Sequence, residues 1–219
     1  GTLRDRLATQ GKRIRIEISK GERHASELSV LQIVAVATTY EARVDVLELQ
    51  KLVSHPDIFT CLSGLEKEYL VRRSLDGRFL EGLHPVRSSL LEGLLCDPVL
   101  SPWIQVATQC LSAIPEADTQ GFIFRALLDR SGCEISLLGA ARNKHWSTWT
   151  GFAAILRAHI WFFLRLQSTS SGSPMEADTF RQQITLWLNQ SRPRLPKAPQ
   201  TDEDWSGISW TWHFLSTLQ

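Results

Sequence analysis

Two residues of this chain have the type and spacing to meet an anion: His84, and Arg87 one helical turn further on. Residues 69–95, YLVRRSLDGRFLEGLHPVRSSLLEGLL, read as a short strand, a tight turn at Asp76-Gly77, a returning strand and a helix that opens on His84-Pro85. Asp-Gly between β-prone runs is a hairpin signal, because both central residues must tolerate positive φ. Proline suits the first helical position, where its missing N–H costs nothing. His84 therefore stands where a strand gives way to a helix, beside unpaired backbone N–H groups, and such a corner suits phosphate. A hairpin followed by an ordinary core helix is the other reading of the same residues.

Elsewhere the chain offers little chemistry. Gly11-Lys12-Arg13 lacks the spacing of a phosphate-binding loop and the Ser/Thr that would hold magnesium. There is no GxSxG, no HExxH and no cysteine with a histidine close in sequence. Glu66/Glu68 and Asp202/Glu203/Asp204 read as solvated carboxylates. His24 and His55 flank helices, while His145, His159 and His213 lie among tryptophans and read as core or interface residues rather than metal ligands. Cys61, Cys96, Cys110 and Cys133 form no close pair, which points to reduced core thiols of an intracellular, cytoplasmic protein and excludes a zinc site. No independent catalysis is expected. All eight tryptophans follow residue 100; most read as helix–helix packing, and Trp205, Trp210 and Trp212 as contacts with a partner or with chain outside this sequence.

The elements that must position these residues follow from periodicity. Residues 3–9 form a helical turn ended by Gly11, and Ile14, Ile16 and Ile18 alternate with charge as a short extended segment, a helix being the alternative. A buried helix starts at Ser26. Asp45 caps a second, with Val46, Leu49, Leu52 and Val53 on one stripe, and a third spans about 57–68, with Ile58, Phe59, Leu62 and Leu65 inward. Three helices and a two-stranded wing make a winged helix. Beyond residue 95 the pattern is helical throughout: breaks at Pro98, Pro102 and Pro115, a long helix over 146–167, another over 175–190, a stiff linker or long loop at 191–200, and a last aromatic helix. No fixed repeat period is present. The expected architecture is mainly α: a basic connector over 1–25, a winged-helix domain over 26–96, and an α-helical array of repeat-like hairpins over 97–219.

Charge narrows the partners. Net charge is +1, but residues 1–24 hold seven Lys/Arg against three Asp/Glu, and residues 25–100 seven against eleven. A DNA-reading third helix would present Asp57, Glu66 and Glu68 against Lys67 alone, and Arg72, Arg73 and Arg78 of the wing are too few to reverse this, so duplex binding is disfavoured. The apolar run 151–166 is interrupted by Arg157, His159 and Arg165, so no membrane span is expected. The ends of the sequence look like those of a piece cut from something larger.

A winged helix leading into GLHPVRS (residues 82–88) and then Trp-rich helices resembles part of a STAND-class P-loop NTPase, the signal-transducing ATPases that include NACHT and NLR-type proteins and bacterial antiviral sensors. The likeness covers 26–95 and, more loosely, the later helices. It implies that His84 matches the winged-helix histidine reaching the phosphates of ATP/ADP (with Mg), holding a closed ADP-bound state; Arg87 is placed to assist. It also implies a nucleotide-binding core elsewhere in the same protein, homo-oligomerisation on activation, and a protein ligand, such as a phage protein, bound by the helical array. Walker A and Walker B segments are absent, so this stretch cannot hydrolyse ATP alone. The other reading is a winged-helix transcription regulator with a helical effector or dimerisation domain; a third is a helical scaffold.

Overall fold

The computed structural model describes residues 1–169 and 196–216, with single positions at 182, 185, 186 and 189. These residues are mainly helical, with one small three-stranded sheet. They pack as two units, Gly1–Leu137 and Leu138–Gln219.

The first unit opens on α1 (Leu3–Ser19), where Thr2 and Asp5 cap each other reciprocally, Thr2 N–H donating to Asp5 Oδ2 (2.8 Å) and Asp5 N–H to Thr2 Oγ1 (3.2 Å). The expected stop at Gly11 and the extended segment beyond it are both wrong. Leu7, Gly11 and Ile14 form one buried stripe at helical spacing, while Ile16 is half exposed. Gly11 serves contact, not termination: a Cβ there would sit 3.6 Å from Leu95 Cδ2. Arg15 donates to the Leu94 and Leu95 carbonyls (3.1 and 3.2 Å), and Arg13 pairs with Glu68 at 2.8 Å, so α1 is tied along its length to the rest of the unit.

The central helix α2 (Ser26–Thr39) is buried without a break from Val30 to Thr38, which is why its sequence shows no polar stripe. After it come β1 (Val44–Asp45), α3 (Val46–Leu52), α4 (Ile58–Lys67), β2 (Val71–Arg73), β3 (Phe79–Gly82) and α5 (Pro85–Leu95). Asp45 Oδ1 accepts the Leu47 and Glu48 N–H groups and Asp57 Oδ1 that of Thr60, as their helix-start positions predict. Two inward assignments fail: Leu52 is 41% exposed and Phe59 52%. The sheet runs β1-β3-β2, antiparallel throughout, with Val44 opposite Leu80 and Val71 opposite Gly82. Strand β1 has two residues and left no alternation to read.

The hairpin connection also differs from expectation. Gly77 alone takes positive φ (+70°), and its N–H donates to Ser74 O at 2.9 Å, so Asp76-Gly77 closes a four-residue turn rather than forming a two-residue one. Helices α6 (Trp103–Ala113) and α7 (Glu116–Asp129) complete the unit, each led by a proline, and Tyr40 sets its ring edge-on against Trp103 and Phe122.

The unit division falls within α8 (Glu134–Asn143). The second unit holds α9 (Trp149–Thr169), which begins three residues later than expected, and α10 (Asp202–Ser216). Phe152, Ile155, Leu156 and Ile160 are buried, as their spacing predicts. Helix α10 crosses the start of α9 so closely that a Cβ on Gly207 would lie 2.4 Å from the Thr150 nitrogen. Thr150 Oγ1 donates to Glu203 O (3.2 Å), and Trp149 Nε1 to Lys197 O (2.9 Å). Most of the helix expected over 175–190, including Phe180, Ile184, Trp187 and Leu188, which are expected to face inward, lies outside the described residues.

Candidate functional site

The corner between β3 and α5 is built from three contacts. Gly82 ends β3 with its N–H donating to Thr38 Oγ1 at 2.7 Å, and a Cβ there would meet Ser88 Oγ at 2.2 Å and Thr38 Cγ2 at 3.3 Å. Only glycine lets the strand end lie this close to the first turn of α5. His84 is extended (φ −163°, ψ 142°) and caps α5: its Nδ1 accepts the Val86 N–H at 3.2 Å, and its carbonyl accepts that of Ser88 at 2.9 Å. A neutral imidazole that accepts at Nδ1 carries its proton at Nε2, so the exposed ring has a donor to offer.

The expectation of several unpaired backbone N–H groups needs correction. Pro85 has none, and those of Val86 and Ser88 are taken by His84 itself. What remains at the corner is the Arg87 N–H, which has no hydrogen-bond partner among the described residues, together with side-chain chemistry. Arg87 stands in the first turn of α5, which contains no acidic residue. Among the described residues it makes no ion pair, and its Nε is buried without a hydrogen-bond partner. Burial alone holds its guanidinium below the ordinary arginine value. A cation at a helix N-terminus is unfavourable against the macrodipole. Arg87 thus brings a positive charge that no acidic residue in the first turn of α5 offsets, beside the imidazole N–H that His84 has to offer.

Trp205, Trp210 and Trp212 all lie on α10, 60%, 54% and 70% exposed. Trp210 stacks on Phe214 with centroids 5.8 Å apart. The carboxylates of α4 are not free: Glu66 is held by Arg73 through two guanidinium contacts (2.9 and 2.6 Å), and Glu68 by Arg13 and Arg23. These partners come from β2, α1 and the loop after α1, and no local pattern announces them.

Two polar clusters escaped the sequence reading because each joins distant segments. Arg43 clasps Asp118 with Nε and Nη2 (2.8 and 2.9 Å) while its N–H donates to the same carboxylate. Buried Glu92 pairs with Arg130, which also donates to Tyr40 Oη and lies 4.7 Å over the Trp103 ring. Both tie α7 to earlier elements and expose no reactive group.

The four cysteines are free thiols. Burial pushes Cys61 up to about 12 and Cys96 up to about 11, and raises Cys110 and Cys133 also, so none is a poised nucleophile. Among the described residues no group of three or more His, Cys, Asp or Glu is placed to hold a metal ion, and no helix is long and apolar enough to cross a membrane. A cavity of about 310 Å³, lined by Ser26, Ser29, Ile33, Val53 and Ser54 among others, does not include His84 or Arg87. No protein-family model, curated protein or solved structure matches this chain.

Proposed function

We propose that this chain is the regulatory and sensing part of a STAND-type P-loop NTPase. The observation that carries the reading is the exposed, helix-capping His84 with the cationic Arg87 one turn on and no counter-charge in that helix turn. A phosphate of ATP or ADP, held with Mg by a nucleotide-binding core of the same protein, fits that chemistry. The element order supports a winged-helix domain: helix α2, strand β1, helices α3 and α4, then the β2–β3 wing, with β3 between β1 and β2. In this reading that domain passes the nucleotide state to a helical array over 97–219, whose ligand is a foreign protein such as a phage product. Activation would assemble copies of the whole protein in the cytoplasm.

Two tests bear on it. The whole reading frame should encode a phosphate-binding loop roughly 200–300 residues before His84, on the usual size of such a core. In that whole protein, His84→Ala should change nucleotide occupancy or basal signalling; unchanged values for both remove His84 from the site.

One observation favours a second reading, a winged-helix DNA-binding regulator. Glu66 and Glu68, whose charge argued against duplex contact, are already neutralised by arginines, and the exposed positions of α4 carry Phe59, Thr60 and Lys67. That surface is neutral rather than basic, so it ranks below the nucleotide reading. Salt-dependent binding of duplex DNA by this chain would reverse the order.

A further inference from the structure

In the first unit, the start of α2, the end of α3 and the middle of α6 enclose the cavity of about 310 Å³. Buried Ile33 and Val53 give it an apolar side, while Ser26, Ser29, Ser54 and Gln109 bring three hydroxyls and a carboxamide. Ser54 and Gln109 are exposed, so the cavity reaches solvent. No lining residue carries a charge. The polar groups are largely uncommitted. His24 Nδ1 accepts the Ser26 N–H (3.3 Å) and so acts as acceptor to the Ser26 hydroxyl as well (2.5 Å), which leaves that oxygen free to accept. The side chains of Ser29, Ser54 and Gln109 make no hydrogen bond among the described residues. A helical serine or threonine commonly returns its hydroxyl to the carbonyl four residues back, as Thr9 does to Asp5 O (2.9 Å) and Thr39 to Ala35 O (2.8 Å). Ser29 does not, and its hydroxyl is left to the cavity it lines.

That lining selects its ligand. Hydroxyls and carboxamides both donate and accept, so their complement is a group that does the same. A charged ligand would leave water for walls that hold no counter-charge. A wholly apolar one would displace water without replacing its hydrogen bonds. Size narrows the class further. At roughly 30 Å³ per water-sized group the cavity admits about ten such groups, the bulk of one six-membered ring and its hydroxyls. We propose that this cavity binds one uncharged polyol, a monosaccharide or a cyclitol. Its C–H face rests on Ile33 and Val53, and its hydroxyls pair with Ser26, Ser29, Ser54 and Gln109. His84 and Arg87 do not line the cavity, so this site stands or falls apart from the nucleotide contact.

The test titrates the ¹⁵N-labelled 219-residue chain with D-glucose, D-mannose, D-galactose and myo-inositol, followed by amide resonances. At least one polyol should shift the amides of Ser29, Ser54 and Gln109 together and saturably, while those of His84 and Arg87 stay put. Ser29→Ala and Gln109→Ala each remove one hydrogen-bonding group and should weaken that binding about three- to tenfold. Ser29→Leu, which fills the cavity, should abolish it. Gln109 is exposed, so Gln109→Ala keeps the test open even where Ser29→Leu fails to fold. Glucose 6-phosphate and cyclohexanol serve as controls, and each should bind more weakly than the best polyol. An absence of saturable shift with all the polyols overturns the proposal. So does binding that is unchanged in both Ser29→Ala and Gln109→Ala. Tighter binding of glucose 6-phosphate would make this an anion site, tighter binding of cyclohexanol an apolar one, and either result overturns the polyol assignment.

Discussion

His159→Leu should abolish a pH dependence of stability that one buried ring imposes. His159 is 5% exposed on α9, and its Nδ1 lies 2.8 Å from the Ile155 carbonyl oxygen. Burial is the largest cause drawing its pKa down from 6.5 to about 4; the Ile155 carbonyl opposes this, Arg142 adds to it, and the Leu138 carbonyl opposes it. The unfolded chain takes up a proton near pH 6.5 that the folded chain refuses until about pH 4. The stabilisation is therefore complete above pH 6.5 and lost as pH falls toward 4. At 1.36 kcal/mol per pH unit that loss is about 3 kcal/mol, most of it reached by pH 4.5. Seven of the eight tryptophans lie beyond Leu138, so urea unfolding followed by tryptophan fluorescence reports mainly on the second unit. Asp204, held low chiefly by the Gln200 N–H, keeps its charge through this window. Glu92, raised by burial, acts with the opposite sign, so the readout is the difference between the two chains and not either profile. That difference should change by about 2–3 kcal/mol between pH 7 and pH 4.5. Parallel profiles would refute the reasoning.

Three shorter tests address the backbone. Glu41 (φ 57°) and Tyr69 (φ 55°) sit in left-handed conformation just after α2 and α4, where glycine is the favoured residue. Replacing either with glycine should stabilise the chain by about 0.5–1 kcal/mol in chemical denaturation. Gly82→Ala should cost about 1–3 kcal/mol by overpacking against Ser88 and Thr38, with partial recovery in Gly82→Ala/Ser88→Gly. Gly207→Ala meets backbone atoms of Trp149 and Thr150, which cannot rotate aside, so its cost should fall at the top of that range.

The legible parts of this fold are those set by neighbours in sequence. Asp45 as a cap, His84-Pro85 as a helix start and the apolar stripe of α9 from Phe152 to Ile160 all follow local rules, and all are present. The misread parts are set by distant contacts. Gly11 looks like a breaker until Leu95 is packed on it. Thr38 reaches Gly82 across 44 positions, and no sequence pattern announces that bond. Glu66 and Glu68 count as exposed acid in a tally of charges, yet Arg73, Arg13 and Arg23 neutralise them in the fold. At the candidate site the sequence places His84 and Arg87 correctly at the corner, because a proline and a strand end mark it. It overcounts the free backbone N–H groups, because the ring that was to face a ligand spends its Nδ1 on Val86 and only the Arg87 N–H is left.

The cap that His84 makes and the phosphate contact proposed for it set the decisive experiment. Asparagine caps a helix as well as any residue and lacks the imidazole, so His84→Asn separates the cap from the proposed phosphate contact. In the whole protein it should leave thermal stability unchanged while weakening ADP retention about 10- to 100-fold, the worth of one hydrogen bond to a charged group. His84→Ala should show the same loss of nucleotide plus about 0.5–1 kcal/mol of lost stability. Full nucleotide retention by His84→Asn would contradict the assignment and leave His84 as a helix cap alone.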